Sequence, residues 1–72
     1  MKEKAIIKNH VYKLRIDNNI TQEDLALEVN VSRQTIIALE KGNYTPSILL
    51  ALKIGSFFKV PVEKIFKINY EK

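Results

Sequence analysis

Arg33 and Gln34 stand side by side, one residue after Ser32, and each carries a side chain that can make two parallel hydrogen bonds. A guanidinium fork matches the two acceptors on the major-groove edge of guanine, and a carboxamide matches the donor and acceptor of adenine. Thr35 and Ala38 add methyl groups of the kind that meet a thymine methyl. Ile37, between them, is either another such contact or an exposed apolar residue. The chemistry offered is reversible recognition of a base edge, and the expected base contacts are Arg33, Gln34, Thr35, Ile37 and Ala38.

Such side chains read bases only when a rigid element presents them. Ser32 is a helix cap and Gly42 a helix stop, so a helix is expected over Arg33–Lys41, with Ile36 and Leu39 turned inward. A second helix, about Gln22–Val29, precedes it. Thr21 with Asp24 three positions on is close to a capping box, and Asn30 tolerates the left-handed conformation that ends a helix. Helices this short are not stable alone. Leu25, Ala26, Val29, Val31, Ile36 and Leu39 supply a shared core, with Ala26 permitting close crossing and Val31 plugging the turn. The free backbone N–H groups at the starts of both helices, near Gln22 and Arg33, suit phosphate.

The flanks complete the domain. Asn9 is expected to cap a first helix from His10 that ends at Asp17-Asn18-Asn19. Asn43-Tyr44-Thr45-Pro46 is a loop, and Ser47 caps a fourth helix to about Phe57. Its apolar positions are Ile48, Leu49, Leu52, Ile54 and Phe58. Pro61 opens a short fifth helix through Ile65 or Phe66. Residues 66–70 alternate as a strand does, and residues 4–8 are either a strand or a disordered arm.

Composition narrows the function classes. A chain of 72 residues is expected to hold one domain of marginal stability. It has no cysteine, which excludes disulfides and thiolate metal sites, and the single His10 builds no metal site alone. No metal or cofactor is expected. Nor does any nucleophile, base and orienting residue form a catalytic set, so an enzyme is not expected. The net charge is +4, and residues 30–60 hold most of it, with Arg33, Lys41, Lys53 and Lys59 against Glu40 alone. That balance suits an anionic partner. No apolar run approaches the roughly 18 residues of a membrane span, and the N-terminus lacks a signal-peptide pattern, so a cytoplasmic protein is expected.

Four blocks in order, Thr21-Gln22-Glu23-Asp24-Leu25-Ala26, Val31-Ser32-Arg33-Gln34-Thr35-Ile36, Leu39-Glu40-Lys41-Gly42 and Pro46-Ser47, give the chain its resemblance to the Cro/C1-type (XRE) helix-turn-helix family. The resemblance runs from about Asn9 to Phe66. With its flanking strands the chain looks most like the small cytolysin-repressor type. It implies an all-α fold, a five-helix lambda-repressor-like domain with a short antiparallel β-ribbon, and a homodimer bound to double-stranded DNA. It also implies residue roles. Arg33, Gln34 and Ala38 would face bases. Gln22 would contact a phosphate and brace the recognition helix. Thr21, Ser32, Lys41, Asn43, Tyr44 and Thr45 would lie at the phosphate backbone, with Thr35 near it. Tyr44 could equally pack its ring on the loop. Arg15 and Glu40 match an internal salt bridge.

One such module reads only a few base pairs, so two-fold pairing is expected to double the site. The fifth helix and terminal strands, through Phe58, Val60, Pro61, Ile65, Phe66 and Ile68, are the expected contact between copies. The leading expectation is a homodimeric repressor of a palindromic operator. The competing one is an antitoxin-like or other protein-interaction module on the same fold, with a regulatory protein partner.

Overall fold

Capping chemistry sets the helix boundaries. The computed structural model describes residues 4–71. In chain order they form β1 (Lys4–Asn9), α1 (Val11–Asp17), α2 (Gln22–Val29), α3 (Arg33–Lys41), α4 (Ile48–Phe58), α5 (Val62–Ile65) and β2 (Phe66–Glu71). The Thr21 hydroxyl accepts from Asp24 N at 3.0 Å while the Asp24 carboxylate accepts from Thr21 N, a complete capping box. Ser32 and Ser47 cap α3 and α4 in the same way, accepting from Thr35 N and Leu50 N. Asn30, Gly42 and Lys59 end α2, α3 and α4 in the left-handed conformation, at φ 61°, 81° and 59°.

The start of α1 differs from the sequence expectation. The strand runs through Asn9, and the helix begins at Val11 with His10 in the cap position. Asn9 still caps the helix, from the last residue of the strand. Its Oδ1 accepts from Val11 N at 3.1 Å, and its Nδ2 donates to Leu39 O at 2.9 Å, tying the ribbon to the end of α3.

Nine buried side chains form one cluster: Val11, Leu25, Ala26, Val29, Ile36, Leu39, Leu50, Ile54 and Ile65. All four long helices and α5 contribute, so each short helix is stabilised by its neighbours' apolar surface rather than by its own hydrogen bonds. Val31 is half-buried against this cluster, and its N–H closes the turn on Ala26 O at 2.9 Å. α4 meets the core through Leu50, Ile54 and Gly55, whereas Ile48, Leu49 and Leu52 are exposed.

β1 and β2 pair antiparallel within the chain, from Lys4 opposite Glu71 to Asn9 opposite Phe66. Pleat alternation puts the pairs Ala5–Tyr70, Ile7–Ile68 and Asn9–Phe66 on one face and Ile6–Asn69 and Lys8–Lys67 on the other. The ribbon joins the helical body where His10 N donates to Ile65 O at 2.9 Å.

Candidate nucleic-acid interface

α3 separates its residues by role around its axis. Ile36 and Leu39 are fully buried, and Glu40 is turned in toward α1. At about 100° per residue, the opposite face carries Gln34, Ala38 and Lys41, spaced i, i+4 and i+7, with Ile37 beside them. Arg33 lies at the flank of this face in the first turn, exposed and, among the described residues, without a hydrogen-bond or ion-pair partner. Gln34 and Lys41 are exposed too, and Ile37 and Ala38 are partly exposed. The Thr35 hydroxyl is engaged with Ser32 Oγ at 2.9 Å, which leaves its methyl as the group for an apolar contact.

The inner face fixes the helix in azimuth. Arg15 Nε donates to Glu40 Oε2 at 2.7 Å and a terminal guanidinium nitrogen donates to Glu40 Oε1 at 3.1 Å, a two-pronged pair. The other terminal nitrogen donates to Ile20 O at 3.0 Å. Gln22 Nε2 donates to Glu40 Oε1 at 3.1 Å, so one carboxylate joins α1, α2 and α3. Both charged side chains are nearly excluded from water, at 8% and 6% exposure. The hydrogen bond to Glu40 pushes the Arg15 pKa up, outweighing the opposing effect of burial. The Tyr12 ring covers the guanidinium 5.2 Å away. Glu40 is the only acid of α3, so neutralising it inside leaves the outward face cationic through Arg33 and Lys41.

The helix starts differ electrostatically. α2 carries Glu23 and Asp24 in its first turn, which oppose an approaching anion, while α3 has no acid there. The backbone N–H groups of Arg33 and Gln34 precede the first side-chain-capped amide, Thr35 N, so the start of α3 keeps its amide donors free of any acid in the same turn. Thr21 and Ser32 are exposed but engaged as caps, and Gln22 is half-buried against Glu40.

Lys41, Asn43, Tyr44 and Thr45 are all exposed around the end of α3. Tyr44 and Thr45 also line an open groove of about 790 Å³ between this loop and the ribbon, opposite Ile7, Ile68 and Tyr70. The residues expected between copies differ in their exposure. Ile65 is fully buried in the core and cannot meet a partner, because α5 folds it inward under α4. Phe58, Val60 and Phe66 pack partly against the core, while Pro61 and Ile68 are exposed. The Asn9–Leu39 and Gln22–Glu40 hydrogen bonds span 30 and 18 residues and had no local sequence signal.

A family model described as Helix-turn-helix matches residues 11–65, which runs from the start of α1 to the end of α5. An uncharacterized HTH-type transcriptional regulator of Methanocaldococcus jannaschii is 57% identical over 60 residues, covering 83% of this chain and 91% of that protein. The cryptic phage CTXphi transcriptional repressor RstR of Vibrio cholerae is 31% identical over 52 residues, covering 72% of this chain and 47% of RstR. The crystal structure of the transcriptional regulator VanUg superposes with a TM-score of 0.77 over 99% of this chain and 93% of that one, at 24% identity, a likeness of fold. With the family model spanning all five helices and these relatives aligned over most of its length, the chain belongs to the Cro/C1-type (XRE) helix-turn-helix family of transcriptional regulators, which bind double-stranded DNA and are not enzymes.

Proposed function

We propose that this protein is a homodimeric, cytoplasmic repressor that reads a palindromic operator by laying α3 in the major groove. The observation that carries this reading is the division of α3. Its one acid is neutralised inside by Arg15, and Arg33, Gln34, Ala38 and Lys41 are left facing out. Arg33 and Gln34 take base edges, with Thr35, Ile37 and Ala38 supplying apolar contacts to thymine methyls. Lys41, Asn43, Tyr44, Thr45, Ser32 and Thr21 lie along the phosphates. Gln22 holds Glu40 with one amide hydrogen and has a second for phosphate. The repressor role is supported by the likeness to RstR, itself described as a repressor.

The test is selection of bound fragments from a random DNA pool at physiological salt. The expected result is a two-fold palindrome with half-sites about one helical turn, roughly 34 Å, apart. Folded protein that enriches no sequence overturns operator reading. A single half-site without its symmetric mate overturns the dimer.

A further inference from the structure

α4 is apolar around its circumference except on the arc that Lys53 and Ser56 share. Its eleven residues, Ile48–Phe58, include one charge, Lys53. A helix of that composition is ordinarily covered on all sides. Here one side packs on the core through Leu50, Ile54 and Gly55, and the opposite side leaves Ile48, Leu49 and Leu52 at 81%, 62% and 54% exposure. These three lie within about 100° of arc at helical spacing, so they form one patch. Single exposed apolar residues are ordinary, but a contiguous apolar strip is an interaction surface.

We propose that this strip, rather than α5 and the terminal strand, is where a second copy of the chain docks, α4 against α4. The proposal rests on the homodimeric reading above. Three observations choose a second copy as the occupant. First, the strip carries no charge, and a two-fold contact sets a surface against itself, so a charged strip would repel its own copy. Second, three large apolar side chains per copy form a core of the kind that the centre of a stable interface requires, with the surrounding residues as rim. Third, only the six residues 42–47 separate α3 from α4. That loop spans at most about 20 Å in each copy, enough to set each recognition helix roughly 17 Å from a two-fold axis at α4, half of the spacing of about 34 Å. The apolar residues of the earlier expectation lack this arrangement, since Ile65 is buried and Phe58, Val60 and Phe66 are half-spent on the core.

The test compares the wild type with Leu52→Glu, Ile48→Glu and, on the ribbon, Ile68→Glu, by sedimentation equilibrium with circular dichroism as the fold control. All three sites are more than half exposed, so a charge there does not enter the core. The wild type is expected at twice the chain mass of 8.3 kDa. Each α4 substitution occurs twice in a symmetric contact and is expected to raise the dimer dissociation constant about 100-fold or more, while Ile68→Glu leaves it within a few fold. A folded Leu52→Glu and Ile48→Glu pair that both remain dimeric, or a dimer lost only in Ile68→Glu, overturns the α4 surface and leaves the homodimer standing. A wild type that is monomeric free and on operator DNA overturns the homodimer itself. As an independent check, the chain has no cysteine, so Leu52→Cys or Leu49→Cys introduces a sole thiol. Disulfide-linked dimer is expected from these and not from Leu27→Cys, which is 75% exposed on the side of α2 away from the core.

Discussion

Arg15 and Glu40, 25 residues apart, meet in a two-pronged ion pair that is almost wholly withdrawn from water and sets the rotation of α3 about its axis. Removing one partner strands the other as a buried charge. Glu40→Ala is therefore expected to lower stability by about 3–5 kcal/mol, read from urea melts, because Arg15 is left unpaired. The pH dependence follows from the raised Arg15 pKa. A group whose pKa rises on folding contributes stability below its unfolded value and loses it only as pH climbs through the folded one. For an arginine that window lies far above neutrality, so the stability gap between wild type and Glu40→Ala should stay flat from about pH 7 to 10. A gap that closes across that range would argue against the guanidinium as the group held.

Base reading and phosphate binding separate by salt and sequence. Arg33→Ala or Gln34→Ala should each cost about 1–3 kcal/mol on the selected operator and little on unrelated duplex, measured by fluorescence anisotropy. Lys41→Ala should weaken both duplexes alike and lower the slope of log affinity against log salt by about one. Equal losses on both duplexes for Arg33→Ala would move that residue from bases to phosphates.

Gln22→Ala removes a donor to the charged Glu40 carboxylate, and a hydrogen bond to a charged group is worth about 1.5–3 kcal/mol. Because Gln22 is half exposed, the stability loss should fall at or below the lower end of that range, with operator affinity falling further than stability does. An unchanged affinity would confine Gln22 to a structural role.

At Gly55, α4 lies close against the segment Val60–Val62 that leads into α5. A Cβ there would meet Val60 O at 3.0 Å and Val62 Cγ2 at 3.2 Å. Alanine gains about 1 kcal/mol over glycine inside a helix, but overpacking against a backbone carbonyl costs about 1–3 kcal/mol. Gly55→Ala should therefore melt lower than wild type by a few degrees. A higher melting temperature would show that the Val60–Val62 segment gives way freely.

The sequence carried its local chemistry openly. The Thr21–Asp24 capping box, the Ser32 and Ser47 caps and the Gly42 stop depend on neighbours within four residues, and α2 and α3 have the expected limits. The inward side of α4 was hard to read because only Lys53 and Ser56 interrupt its apolar residues, so helical spacing marks the outward face by two positions alone. Leu50 is buried there while Ile48, Leu49 and Leu52, apolar positions of equal standing in the sequence, are exposed. The start of α1 was misplaced by one residue because Asn9 is held by cross-strand pairing to Phe66, a partner 57 positions on. The same distance explains why Asn9 reaching Leu39 was invisible and why the brace of Gln22 on α3 came from the family resemblance alone: each joins elements that only the packed core brings together.

The ribbon pairs Lys4 with Glu71, nearly the full length of the chain apart. Closing so long a loop gains little until the helices between have packed, since loop entropy is lost before the pairing repays it. The strands therefore zip last during folding, starting at Asn9–Phe66, where the helical body already holds His10 to Ile65. In the native protein they open first from the far end. Amide protons near Ala5 and Tyr70 should exchange with solvent through local fraying, while those of α2 and α3 wait for the whole domain to unfold.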